Sequence, residues 1–428
     1  MKKFYLVFCF MFFSNIFFGQ DYISEGHKRL NFAKTYVELS TQFTNLFSGQ
    51  TIVNSQIVNF KNSETVQPFL NIGGIHFWGH ADFYFSIPLS APINLTESNN
   101  INFKFNQSIV TGARFFPIAI KNNAIRPYLG ASWSVLNIKG NEDQPFFTKN
   151  EITFDGGFLY NFNDFMVRLG VNVYPDNKWN YPITKTISQE IKPPNWSTYF
   201  GLIYAFETSK SKNMEVENQK LNETPLVSSP TKNAIKNRDW FLGIGPSTSF
   251  MIQNSEYNNK SYPYFNKKPI SSTFFDISLG YHFNKLGLVS AVSYRNPTFT
   301  YNGFGTEQII KKSSLSFEVY KYLTDYSGFT PYIGFNLSYN DIYFSETNIS
   351  NSIYKNFKKI TPGFTFGWDI LPGKTEQWIV LRTNLRWFPL DKINVNGLDF
   401  SLNQIEYNVI QLVIYPSRYK NAKTKRDK

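Results

Sequence analysis

Residues 126–135 read Arg126-Pro127-Tyr128-Leu129-Gly130-Ala131-Ser132-Trp133-Ser134-Val135, and a second version stands at Thr330-Pro331-Tyr332-Ile333-Gly334-Phe335-Asn336-Leu337-Ser338-Tyr339. Each has Pro near its start, where a strand tolerates a missing N–H. Each then alternates, with Leu129, Ala131 and Trp133 on one face and Tyr128, Gly130, Ser132 and Ser134 on the other. This is the period of two of a β-strand. The chain therefore contains strands with one apolar face and one small or polar face, arranged in two copies.

The same pattern recurs on both sides of this pair. In the first half the alternating runs are Phe32–Phe47, Pro68–His76, Ala81–Leu89, Phe103–Phe115, Arg126–Ile138, Ile152–Tyr160, Phe165–Tyr174 and Trp196–Phe206. In the second half they are Trp240–Ile252, Phe274–Phe283, Leu286–Tyr294, Ser313–Leu323, Pro331–Tyr339, Ile360–Ile370, Gln377–Phe388 and Ile405–Tyr415. Gly74-Ile75-His76-Phe77 returns as Gly280-Tyr281-His282-Phe283, and Val167-Arg168-Leu169-Gly170 aligns with Leu381-Arg382-Thr383-Asn384. The offset grows from 204 at the Pro pair (127 to 331) to 214 at the Arg pair (168 to 382). The extra residues are assigned to a loop, where Lys139–Asn150 becomes the longer Asn340–Phe357.

Composition agrees with strands. Aromatics make up 18% of the 428 residues and charged residues only 17%, yet mean hydropathy is slightly polar. No stretch after the start gives roughly 18 uncharged apolar residues in a row, which excludes a transmembrane helix there. Residues 1–20 read as an export signal, with Lys2 and Lys3, then an apolar run Phe4–Phe13, then Gly19-Gln20 as the cleavage edge. Cys9, the only cysteine, lies within it, so the mature chain has no disulfide, thiolate metal site or Cys nucleophile. Residues 208–238 are polar and few of them aromatic, as expected of a linker, and 417–428 form a basic tail. The formal charge of +12 is ascribed to loops, linker and tail; an exported chain makes nucleic acid an unsuitable partner.

Connections alternate between long polar segments and short turns, the signature of a barrel that spans a membrane with its termini on the short-turn side. On these motifs, residues 30–416 resemble the eight-stranded outer-membrane β-barrels of Gram-negative bacteria (the porin-family or OmpA-type barrel), present twice. The resemblance implies an all-β transmembrane antiparallel fold in the outer membrane, with units 21–207 and 239–416. The partner it implies is the lipid bilayer, with surface glycan or protein as a second partner through the long loops. Two closures satisfy the pattern: two eight-stranded barrels, or one sixteen-stranded barrel in which 208–238 is a long periplasmic turn. The small inward residues favour the first. The first implies a non-enzymatic structural or surface-binding protein, the second a passive porin.

Side chains that carry chemistry are few. Arg168, Glu318, Asp369, Arg382 and Arg386 fall on inward faces, and Arg382 and Arg386 are expected to neutralise Glu318 and Asp369 inside the second unit, with Arg168 serving the first. Tyr257, Tyr262, Tyr264 and Tyr301 lie in Asn-rich loop segments and are expected to project outward, either as a surface that binds glycan or protein or as aromatic-belt residues at the level of the lipid headgroups. His76 and His80 flank Trp78-Gly79 with no third ligand in reach, so no metal is assigned. Some barrels of this kind are enzymes on envelope lipids or peptide bonds; no His/Ser or Asp/His constellation near a rim supports that here, and no cofactor is implied. Pro246 and Pro362 stand against the strand reading, since each removes a ladder donor.

Overall fold

The computed structural model describes residues 32–419 except 45–46, 54–55, 63–64, 77–79, 90–92, 95–103, 119–122, 141–142, 163, 176–178, 208–238, 267, 324–328 and 371–377. The export signal, the linker, residues 420–428 of the basic tail and the Trp78-Gly79 turn lie outside the described residues. The wall of the first unit is built from β1 (Phe32–Thr44), β2 (Thr65–His76), β3 (Ala81–Pro88), β4 (Lys104–Phe115), β5 (Ala124–Lys139), β6 (Phe146–Phe162), β7 (Phe165–Val173) and β8 (Trp196–Glu207). The second uses β9 (Asp239–Met251), β10 (Phe274–Phe283), β11 (Leu288–Arg295), β12 (Thr306–Tyr322), β13 (Phe329–Thr347), β14 (Ser352–Ile370), β15 (Ile379–Phe388) and β16 (Gln404–Ile414).

Each strand pairs antiparallel with its neighbours in sequence, and each unit closes on itself. β1 pairs with β8 from Lys34↔Glu207 to Thr44↔Ser197, and β9 pairs with β16 from Leu242↔Ile414 to Met251↔Gln404. The sixteen-stranded alternative is thereby corrected: the two halves form two closed eight-stranded barrels. Closure leaves neither wall an open edge of unpaired backbone groups. The side-chain alternation then sorts itself. Leu129, Ile152, Leu242, Phe317, Phe335 and Phe364 face outward and are exposed, whereas Tyr128, Ser132, Ser316, Tyr332 and Thr365 face inward and are buried.

The two prolines are accommodated at breaks in the ladder. Pro246 lies within a register shift between Ile244 and Ser247 on the β16 side. Pro362 lies just beyond the last β14–β15 pair, Phe364↔Trp387, so its missing N–H leaves no β15 acceptor waiting.

Among the described residues, several of the long connections are structured. Two-stranded hairpins occupy 47–62 and 179–191 in the first unit and 392–401 in the second, and Glu256–Ser261 forms one short helix. The 392–401 hairpin turns at Asn396-Gly397, both with positive φ (52° and 84°), as a tight turn matched to strand twist requires. The segment Asn340–Phe357, expected as a loop, is mostly strand: β13 and β14 run on to a tight turn at Asn348–Asn351. Its alternation continues, but the inward positions change from Ser338 and Asn340 to Ile342 and Phe344, because the strands have left the barrel and face an apolar cluster.

The two barrels touch along one side. The Trp133 ring packs on Phe250 and Tyr407 (centroids 5.1 and 5.8 Å), and the Tyr407 hydroxyl donates to Thr111 Oγ1 at 3.2 Å.

Candidate functional site

The barrel interiors hold the densest chemistry. Burying a charge is costly unless it is paired and hydrogen-bonded, and these strands supply the pairs. In the first barrel Asp82 is the node: it accepts from Tyr36 Oη at 2.7 Å, from Arg168 Nη2 at 3.0 Å and from Arg114 Nη1 at 3.4 Å. Arg168 also reaches Glu38 (2.8 Å), and Arg114 reaches Asp155 (2.7 Å) while its guanidinium lies 3.6 Å from the Tyr84 ring centroid. In the second barrel Arg382 forks onto both oxygens of Asp369 at 2.7 and 2.9 Å. Arg386 contacts Asp276 at 2.5 Å and Glu318 at 2.8 Å, and Arg295 contacts Glu406 at 2.6 Å.

The structure thus brings all five predicted interior charges into ion pairs, Arg382 with Asp369 and Arg386 with Glu318. Sequence reading missed Glu38, Asp82, Arg114, Asp155, Asp276, Arg295 and Glu406. Their signal was available: each shares the alternation of the small inward residues, as Glu38 does with Ser40 and Gln42.

These networks fill the bore. A cavity of about 40 Å³ lies among Ser40, Asn71, Gln107, Arg114 and Ser132 of the first barrel, room for a water or two.

The loop tyrosines lie elsewhere than expected. Tyr257, Tyr264 and Tyr301 are buried with Phe265, Phe344 and Phe400 in the cap of the second barrel, and Tyr262 is half-buried against them. They do not project as a binding surface. The reason is the strand extension, which offers Ile342 and Phe344 as apolar ground on which the rings pack. Beneath them lies a buried carboxylate, Glu346, which accepts from Tyr257 Oη (2.9 and 3.1 Å), Tyr262 Oη (2.5 Å) and Gln308 Nε2 (2.7 Å). Burial and Glu346 push the Tyr262 hydroxyl up to about 12, so it stays a donor. Glu346 was missed, although it shares a strand face with Ile342 and Phe344.

A second ion cluster ties the 392–401 hairpin to the barrel. Asp391 contacts Lys312 at 2.7 Å and Lys359 at 3.1 Å. Burial opposes its ionisation, but the two ammonium groups outweigh that and hold the carboxyl below its ordinary value. A carboxylate depressed on folding contributes stability that is complete above its unfolded pKa and is lost as pH falls through its folded pKa. We expect normalised amide exchange of residues 392–401 to accelerate below about pH 4, and Asp391→Asn to remove that acid response.

The two histidines whose side chains are described, His80 and His282, have structural partners. His80 Nδ1 donates to the Phe116 carbonyl at 2.7 Å. The buried His282 ring packs on Tyr322 and its Nδ1 accepts from Arg418 at 3.4 Å. Asp276 is held by Arg386, so Asp276 and His282 have separate partners. Among the described residues no group of three or more His, Cys, Asp or Glu could hold a metal ion.

Closed walls, lipid-type outer faces and ion-paired bores decide the architecture. The chain is a tandem of two outer-membrane-type eight-stranded β-barrels. No family model and no curated protein matches its sequence. Among solved structures, this tandem barrel is similar to Neisserial surface protein A (16% identity, 42% of this chain, 99% of that one, TM-score 0.30). It is also similar to Ail, the attachment invasion locus protein of Yersinia pestis (12% identity, 42% of this chain, 99% of that one, TM-score 0.28). A third likeness is to OmpT, an outer membrane protein of Vibrio cholerae (8% identity, 89% of this chain, 99% of that one, TM-score 0.18).

Proposed function

We propose that this tandem barrel resides in the outer membrane as a non-enzymatic protein that displays two ordered caps at the cell surface, with a structural or surface-binding role towards glycan or protein. In this reading 1–20 is the export signal, 208–238 is the periplasmic linker, and the long-loop side faces outward. The observation that carries it is the pair of closed, ion-paired bores. The passive-porin alternative required one wide barrel and is corrected by the two separate closures. What the chain offers to its surroundings is therefore its outer wall and its caps.

The test combines two measurements on the full chain. In planar bilayers we expect no stable conductance; a steady wide-pore current overturns the reading. An epitope inserted at Ile349, 88% exposed at the tip of the β13–β14 turn, should be labelled on intact cells. Labelling only after outer-membrane permeabilisation reverses the orientation.

A further inference from the structure

We propose that the cavity between the two barrels, on the long-connection side, binds an anionic saccharide: a sugar of disaccharide size that carries phosphate or carboxylate. The cavity encloses about 840 Å³, within the range of small-molecule sites. Its lining is shared between the barrels. Residues 147–150 of β6 and part of the 179–191 hairpin form one side, and the end of β9 with residues 263–268 forms the other. The two sides are fixed to each other. The Phe146 N–H donates to Asn302 Oδ1 and Asn266 Nδ2 donates to the Thr148 carbonyl, both at 3.1 Å. The Phe304 N–H donates to the Asp143 carbonyl, and a Cβ at Gly303 would meet Pro145. The space is therefore a concavity of set shape.

Polar groups of β6 are turned towards it. β7 pairs with β6 only over 154–162, so residues 146–153 have a wall strand, β5, on one side alone. In an antiparallel ladder alternate residues direct their N–H and C=O to opposite sides. Phe146 and Thr148 send theirs across to the second barrel, and Asn150 shares their parity. The Asn150 backbone N–H and C=O thus face the side on which β7 does not pair, and its side-chain Oδ1 is buried with no hydrogen-bond partner among the described residues. Buried polar groups are normally hydrogen-bonded. A hydroxylated ligand supplies donors and acceptors together.

The lining selects the class of ligand. It contains Lys149 and Lys268 and no acid. Lys268 is exposed, with no ion pair among the described residues, and its N–H donates to Asn266 Oδ1 at 3.2 Å, which ties its loop to the residue that bridges the barrels. Lys149 Nζ lies 5.0 Å from the Trp179 ring centroid, a cation set over an aromatic face. Asn180 and Ser188 add an amide and a hydroxyl, while Phe147 and Phe250 give apolar surface. This mixture suits a sugar, which has C–H faces and hydroxyl edges. An acyl chain would leave the amides and ammonium groups unmet. Two ammonium groups without a carboxylate beside them favour a ligand that brings the negative charge itself.

This site deepens the surface-binding reading and rests on it for its location. It is tested on purified full chain in detergent, so that epitope labelling on cells with no sugar bound in detergent would discard the site and keep the location. The probe is trehalose phosphate, with trehalose and inorganic phosphate as controls. Calorimetric titration should show trehalose phosphate binding at least about tenfold more tightly than trehalose, and hydrogen exchange should slow within 147–152 with trehalose phosphate but not with inorganic phosphate. Lys268→Glu should weaken binding about fivefold. Ser188→Trp, at an exposed position of the hairpin, should obstruct the space and abolish binding while the circular dichroism spectrum is kept. Lipid discs separate the two sources of such a sugar. Slowed exchange at 147–152 in discs of a lipid with a phosphorylated disaccharide headgroup, relative to phosphatidylethanolamine discs, assigns the site to the membrane's own headgroup; slowing only on adding trehalose phosphate assigns it to a glycan from outside. Equal binding of trehalose and its phosphate, protection elsewhere, binding unchanged in both variants, or no binding in detergent or discs each overturns it.

Discussion

Arg386→Met is expected to destabilise the second barrel by about 3–5 kcal/mol and leave the first unchanged, giving a second, earlier unfolding transition in urea. Arg386 is ion-paired with both Asp276 (2.5 Å) and Glu318 (2.8 Å), all three buried. Removing one partner of a buried ion pair leaves an uncompensated charge, and here two carboxylates are stranded. Asn408 Nδ2 at 3.2 Å from Asp276 and Ser293 Oγ at 2.5 Å from Glu318 are neutral donors and compensate only part of that loss. The triple variant Arg386→Met, Asp276→Asn, Glu318→Gln should recover most of the stability. The measurement is tryptophan fluorescence of vesicle-reconstituted protein; a single coincident transition for both barrels, or no rescue by the triple change, would sink the account.

Gly334→Val is expected to prevent the second barrel from closing, read as loss of the heat-modifiable band on gels. A Cβ at Gly334 would meet the Val319 carbonyl oxygen and the Tyr320 backbone of the neighbouring strand. Backbone cannot swing aside as a side-chain tip can, so the overpacking cost should reach about 3 kcal/mol or more. The matching glycine of the first barrel, Gly130, faces the Asp155 carboxylate and the Ala113 carbonyl. Gly130→Val should fail likewise, whereas Gly156→Val, where a Cβ would have as its nearest neighbour the flexible Leu129 side chain at 3.2 Å, should be mild. The repeated Pro-Tyr-Leu/Ile-Gly motif is thus explained. Its Tyr enters the ion-paired interior and its Gly gives that interior room.

The strands were legible because the bilayer imposes an alternation that sequence displays directly, and sixteen runs were readable from it. Closure was not, because whether β8 returns to β1 or continues to β9 is a pairing between residues such as Lys34 and Glu207, far apart in the chain and chemically unremarked. The extension of β13 and β14 was hidden by Asn, Asp and Ser, which signal turns in isolation but here lie on a ladder. Tyr257 and Tyr301 were misplaced for a related reason: a loop aromatic looks the same whether it projects or packs, and only Ile342 and Phe344 opposite decide it. Interior charges were readable as inward, but the pairing of Arg386 with Asp276, 110 residues away, needs the three-dimensional register.

The closure of each wall upon its own first and last strands has a consequence for ancestry. A seam such as β9–β16 makes the barrel a countable part: a chain can carry a second finished cylinder without rethreading the first. The number of strands per cylinder is then held fixed by geometry, while the tops, released from that constraint, are free to diverge. The hairpins at 47–62 and 179–191 above one wall, and the short helix and the 392–401 hairpin above the other, show how far the two tops differ.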